Sequence, residues 1–422
     1  MTITTDTTAT MTTGATFALD ARALSTNLAF IKRTAGMTRR HPQIETLREL
    51  RVSVVDGTMT LAYFDYDVMV EVRQLADASD DVAEFHVHFD ALATAVKAVG
   101  AKGHAVLSLD VAATTLTLEA DGMTATAALA PADHIVDAPT LPSITEASSE
   151  IVTTGDVLAS VGVTTAVARG TDDTLPMLTG VRLESDGRVV EAATTDRFKL
   201  AVADLGATNI VEPFGALLAG RPFVEFCKRS AKSDLVTLRL SNVEHKLTAD
   251  GRQNVDYANH QLAEYRSDDV TIVSRVLDAE FPRFRQLIPG HASASSSMPS
   301  ITTRFTLDGK STAARIKSVA SGAQNIRIGL ALDADGVATV TADGHERFDS
   351  EQSRLSTATL AVDDVEHDGE IVVPFAAPYL AAIFAAVPKG ERVTVELTNA
   401  NRPAVFRWRD QLVLLMPVRM AS

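Results

Sequence analysis

The chain has 422 residues, 46% of them hydrophobic and 22% charged, and a net charge of −15 at pH 7. This is the make-up of a folded protein too long for one ordinary core, and it excludes a disordered chain. A single cysteine, Cys227, excludes an intrachain disulfide framework and suits a reducing cytoplasm, and no apolar run approaches the roughly 18 residues of a membrane span.

Residues 1–15 are Thr-rich, lack a basic or apolar leader pattern, and read as a disordered tail rather than a signal peptide. The stretch "FALDARALSTNLAFIKRTAG" from Phe17 then predicts a short strand followed by an amphipathic helix, with Leu24, Leu28 and Ile31 on its apolar face. "LRVSVVDGTMTLAYFDYD" predicts a hairpin turning at Asp56-Gly57, because a type I′ turn needs residues that accept φ > 0. "FHVHFDALATAVKAVGAKGHAVLSL" predicts strand, helix and strand.

The same order returns twice. "IVTTGDVLASVGVTTAVARG" from Ile151, with Val157, Val161 and Val167 at helical spacing, precedes "VRLESDGRVVEAATTDR", with Asp186-Gly187, and "FGALLAGRPFVEFCKRSAKSDLVTLRL". "RFTLDGKSTAARIKSVASGA" from Arg304 precedes "IGLALDADGVATVTADGH", with Asp335-Gly336, and "IVVPFAAPYLAAIFAAVPKGERVTVEL". A repeat of roughly 130 to 150 residues is too long for a solenoid and right for a domain. Boundaries rich in Pro, Ser and Ala at 138–150 and 289–300 give three α+β domains at 16–142, 148–290 and 300–422.

Charge is segregated beneath the acidic total. Windows 22–40, 91–104, 156–169, 219–232, 310–323 and 376–389 hold 16 of the 39 Lys/Arg residues but only two of the 54 acidic ones, Asp156 and Glu225. The helices therefore carry +14 and the remainder −29. Lys and Arg favour helices, but so does Glu, which is nearly absent here. A shared basic helix surface facing a polyanion explains the bias. No aromatics interleave with these cations to stack bases, so contacts to phosphate are implied. Candidate residues of this surface are Lys32, Arg33, Arg39, Arg40, Lys97, Arg169, Arg221, Lys228, Lys232, Arg315 and Lys317.

The sequence lacks both the phosphate-cradling G-x-x-x-x-G-K-[ST] loop and G-x-G-x-x-G, and it has no G-x-S-x-G elbow. His86 and His88 share a strand face without a third ligand nearby, "ADGHER" at 342–347 sits at a hairpin position, and Cys227 lies on an apolar helix face. No metal site, cofactor or catalytic centre is expected.

Four stretches carry a resemblance: "DDTLPMLTGVRLE" (172–184), "ATTDRFKLA" (193–201), "LDAEFPRFRQLIP" (277–289) and "LLMPVRM" (414–420). In this order and spacing the chain resembles the bacterial DNA polymerase III β subunits, the sliding clamps, in wording closest to the actinobacterial form. The resemblance implies a non-catalytic, cytoplasmic DNA-clamp fold of three similar domains, each with two helices on antiparallel sheets. It further implies a head-to-tail homodimer, a six-domain ring around double-stranded DNA. A groove for short linear peptides of replicative polymerase, clamp loader and repair proteins is implied at Leu178, Thr195, Arg197, Phe198, Lys199, Leu200, Pro282, Gln286, Leu287 and Tyr379, closed by Leu414, Leu415, Met416, Pro417, Val418 and Arg419.

Departures from the family pattern bear on the groove's polar contacts. Arg197-Phe198 stands where many members have Gly-His, Lys199 where Arg is usual, and Ala376 where Asn is frequent. The first domain only loosely echoes the family in "RRHPQIETL" (39–47). A phage-encoded or duplicated clamp, or a clamp-like protein that sequesters clamp partners or a clamp-directed inhibitor, is the alternative.

Overall fold

The computed structural model describes residues 15–37, 44–78, 82–100, 103–110, 112–131, 134, 138–172, 174–209, 211–241, 246–247, 253–254, 262–289, 291, 300–321, 327–343 and 354–418. Arg39, Arg40, Arg419, residues 1–14 of the expected tail and most of the 289–300 linker lie outside these. Ala15, counted with the tail, is buried, and its carbonyl accepts a hydrogen bond from the Leu109 amide.

Seven helices occur among the described residues: α1 (Ala21–Ala35), α2 (Phe89–Val99), α3 (Gly155–Ala168), the single turn α4 (Pro176–Thr179), α5 (Gly220–Arg229), α6 (Gly309–Val319) and α7 (Ala377–Ala386). With their antiparallel sheets they make an α+β fold of two compact units. Unit 1 joins Met1–Val152 to Arg221–Val276, and unit 2 joins Thr153–Gly220 to Leu277–Ser422. The expected 148–290 segment is thus shared between the units, because each unit is sewn together by strand pairing between distant segments. Val270–Arg275 pairs with Val68–Ala78 in unit 1, and Lys199–Asp204 pairs with Gln411–Leu415 in unit 2.

Local sequence explains the element ends. Asp20 caps α1, its Oδ1 accepting from the Arg22 and Ala23 amides at 2.7 and 3.0 Å, and Gly36 ends the helix at φ 71°. Leu24, Leu28 and Ile31 are buried as the spacing predicts. On α3 the buried stripe is Leu158, Val161, Thr165 and Ala168, whereas Val157 and Val167 are only half-buried.

Of the three Asp-Gly turns, only Asp56-Gly57 is the tight left-handed pair, at φ 48° and 70°, between paired Val55 and Thr58. The other two are longer loops between Ser185 and Val190 and between Leu332 and Ala338. There an aspartate carboxylate closes the turn. Asp186 Oδ1 accepts from the Arg188 and Val189 amides, and Asp333 Oδ1 from those of Asp335 and Val337.

In unit 2 a nine-stranded sheet places Gln411–Leu415 between Lys199–Asp204 and Ala404–Trp408. Strand alternation gives this terminal strand two faces. Leu412 and Leu414 pack with Leu200, Val202, Phe281, Phe284 and Ile288, while Val413 and Leu415 join the helix-side core of Ile316, Leu380 and Phe384. The apolar ending of the chain is therefore a central strand, buried on both sides.

Candidate peptide groove and basic helix faces

The residues expected to line a groove centre, in unit 2, on the loop between Val190–Thr195 and Lys199–Asp204. Asp196 organises it: its Oδ1 accepts from the Phe198 and Lys199 amides at 2.9 and 2.7 Å, and its Oδ2 lies 2.8 Å from Lys199 Nζ. Thr195 Oγ1 donates to the Lys199 carbonyl at 2.7 Å and accepts from the Arg197 amide at 3.1 Å. These bonds hold Arg197 in the left-handed region at φ 77°, an unfavourable place for a residue with a Cβ. The tight loop turns Phe198 outward, where it is 58% exposed.

Tyr379 of α7 packs beside this loop. Its ring centre lies 6.4 Å from that of Phe198 and 3.8 Å from Lys199 Nζ, which stacks on its face. Ala376 caps α7 without a side-chain hydrogen bond.

Leu277–Ile288 crosses the outer face of the sheet. Phe281, Phe284 and Ile288 anchor it on Leu200, Leu412 and Leu414. Arg285 fastens it by bonding Glu184 and Glu191, each at 2.5 Å. Burial alone would lower the Arg285 pKa, but the two carboxylates outweigh it and hold the pKa up. Pro282, Gln286 and Leu287 of this segment remain exposed.

Met416 follows the last strand; its amide donates to the Phe198 carbonyl at 2.9 Å, and the Val418 amide donates to that of Pro374 at 2.8 Å. Phe198, Leu287 at 47% and Met416 at 44% exposure are the open apolar surface of the expected set. Leu178, Thr195, Lys199, Leu200, Leu414 and Leu415 are buried, and Pro417 and Val418 are half-buried. Sequence reading missed Asp196, Phe281 and Phe284. Asp196 was legible in principle, as an Asx residue just before a left-handed position.

The basic residues fall into two sets. In unit 1, Arg33 of α1 and Lys228 of α5 converge on Glu225, at 3.0 and 2.7 Å, and Lys32 lies 3.8 Å from Asp90. The Arg221 guanidinium covers Gly36, leaving no space there for a Cβ. Lys97, Lys228 and Lys232 are exposed, Lys232 just beyond the end of α5. In unit 2, Arg315 and Lys317 are exposed on α6. Arg169 is different: it is half-buried at the C-cap of α3, with Nη1 3.5 Å from the Thr179 carbonyl at the end of α4.

His86 is buried between Glu49 and Glu84, each 3.2 Å from a ring nitrogen. Among the described residues no three His, Cys, Asp or Glu side chains are arranged to hold a metal ion. Burial pushes the Cys227 thiol up, as for a core residue.

Residues 153–283 match the family model described as DNA polymerase III beta subunit, central domain. The beta sliding clamp of Streptomyces coelicolor is 25% identical over 256 residues, 59% of this chain and 61% of that protein. The chain is similar to the bacterial DNA polymerase III beta subunits, the sliding clamps. The beta sliding clamp homolog GriR of Streptomyces muensis is 26% identical over 228 residues, 54% of this chain and 58% of that protein. These matches span somewhat under two thirds of either relative. Two Streptomyces proteins agree with the actinobacterial wording of the motifs.

The clamp fold extends further than the sequence matches. The sliding clamp of Bacillus subtilis superposes with a TM-score of 0.73 at 16% identity, over 97% of this chain and 100% of that one. The Pseudomonas aeruginosa clamp, solved bound to griselimycin, gives 0.71 at 18% identity over 96% of this chain and 100% of that one.

Proposed function

We propose that the protein is a processivity clamp: three domains, at 16–142, 148–290 and 300–422, that dimerise head to tail into a ring around duplex DNA. The ring carries no catalytic centre in this reading. It tethers replicative polymerase, clamp loader and repair proteins in the cytoplasm through the groove around Phe198, Leu287, Tyr379 and Met416. The observation that carries the proposal is the exposure of the apolar Phe198, Leu287 and Met416, with Leu200 and Leu414 buried in the same unit. Such a surface suits Leu or Phe anchors of an extended ligand.

The exposed cations Arg33, Lys97, Lys228, Lys232, Arg315 and Lys317 support the DNA-encircling part. They suit phosphate contacts without base reading, as sliding requires. Light scattering at micromolar protein should return the mass of a dimer, and a strict monomer would contradict the ring.

Phe198 and Lys199, at positions where the family carries other side chains, favour one second reading. In it the protein sequesters clamp partners or a clamp-directed inhibitor such as griselimycin. Loading onto primed circular DNA by an ATP-driven clamp loader separates the two: a processivity clamp loads and a sequestering protein does not.

A further inference from the structure

Unit 1 contains a loop with the same hydrogen-bonded construction as the groove loop of unit 2. Val68 pairs with Ser274 as Lys199 pairs with Leu415, so Asp65, Tyr66, Asp67 and Arg275 occupy the places of Asp196, Arg197, Phe198 and Met416. Asp65 Oδ1 accepts from the Asp67 and Val68 amides at 3.1 and 2.9 Å, as Asp196 Oδ1 does from Phe198 and Lys199. The Arg275 amide donates to the Asp67 carbonyl at 3.2 Å, as Met416 does to Phe198. Tyr66 stands at φ 72°, beside 77° for Arg197. An aromatic residue in that region is strained, and Tyr66 is also 50% exposed.

A cavity of about 150 Å³ opens beside this loop, with Phe64, Pro142, Leu262 and Val273 as its apolar lining and Tyr66, Asp67 and Arg275 at its mouth. It is smaller than the ~300–1,000 Å³ of small-molecule sites and has room for one Leu- or Met-sized side chain. Where unit 2 has apolar Phe198 and Met416, this mouth has a carboxylate and a guanidinium. Among the described residues the exposed Arg275 guanidinium has no ion-pair or hydrogen-bond partner.

We infer that this pocket is a second docking site, for an extended segment of a partner protein with an apolar anchor beside an acidic residue. The anchor fills the cavity and the acidic side chain meets Arg275. Only the choice of a peptide ligand rests on the groove reading; the pocket and its charges stand without it.

The test is selection of a phage-displayed library of random short peptides on the full chain carrying Phe198→Glu and Met416→Glu, which blocks the unit 2 groove. Enriched clones should share Leu, Met or Phe next to Asp or Glu. A synthetic peptide of that consensus should bind about tenfold more weakly to Leu262→Trp, which fills the cavity, and about threefold more weakly to Arg275→Gln. With Arg275→Glu the selected neighbour should become Lys or Arg. Clones without a shared motif, or a consensus peptide indifferent to both positions, would overturn the inference. Arg275 is exposed, so its variants keep the test decisive even where Leu262→Trp fails to fold. Binding of a polymerase-derived peptide to the unaltered chain, measured in parallel, reports on the unit 2 groove alone.

Discussion

The Lys199 ammonium lies 3.8 Å from the centre of the Tyr379 ring and 2.8 Å from the Asp196 carboxylate. One cation thus joins the loop that presents Phe198 to the helix that presents Tyr379. Its charge is spent inside the wall rather than offered to a ligand. Lys199→Met should therefore loosen Tyr379 and weaken binding of a polymerase-derived peptide about threefold to tenfold, the range of a cation–π contact. Asp196→Ala should cost more, because two backbone amides and Lys199 lose their acceptor together. Calorimetric titration of each variant checks the order.

Removal of Met416–Ser422 deletes the bonds from Met416 to Phe198 and from Val418 to Pro374, yet leaves Gln411–Leu415 in the sheet. Peptide affinity should be lost, while the melting temperature falls by only a few degrees, as expected of about 1 kcal/mol. Unchanged affinity would remove Met416 from the groove.

Glu225 is the acidic residue within the basic helix windows that both Arg33 and Lys228 grip. Burial alone would raise its pKa, but the hydrogen bonds from Lys228 and Arg33 prevail and hold it below the ordinary value. A carboxyl depressed in the folded state adds stability above its unfolded pKa of about 4.3, and that stability is lost as pH falls through the folded value. Wild type should thus exceed Glu225→Gln by at most about 1 kcal/mol at pH 7, since both cations are more than half exposed. Thermal melts should show the difference closing below about pH 4. The same variant frees two cations, so its DNA binding should strengthen and depend more steeply on salt.

Cys227 is fully buried on α5, and burial pushes its thiol up. A thiol so placed holds almost no thiolate at neutral pH. A thiol-specific reagent should leave the native protein unlabelled over hours and label it at one site once denatured. Rapid labelling of the native protein would contradict the packing of α5.

Much of this architecture was legible because it rests on short-range rules. Leu24, Leu28 and Ile31 fall at helical spacing, and "LVLL" is a central strand whose two faces are both covered. The Asp-Gly pairs were legible as turns but not as turn types, since Asp186 and Asp333 close their loops with carboxylates in place of a tight left-handed pair. The helix charge bias was visible, but not its partial cancellation by Glu225, which needs α1 and α5 side by side. Arg169 was read from charge alone; its half-burial against the end of α4 depends on packing. The division into two units follows strand pairings between segments far apart in the chain, which no local pattern encodes. Residue types marked the candidate site, but the division between exposed Phe198, Leu287 and Met416 and buried Leu200 and Leu414 needed the fold.

The central claim is topological, and retention on DNA tests it most directly. The protein should be loaded by a clamp loader onto primed circular DNA, isolated with it, and challenged by a single restriction cut. A ring should remain on the closed circle through a moderate-salt wash and run off once the DNA is linear, with Lys228→Glu/Lys232→Glu lowering the amount retained. Equal retention on circular and linear DNA, or release from both at the same salt, would contradict a clamp that encircles its substrate.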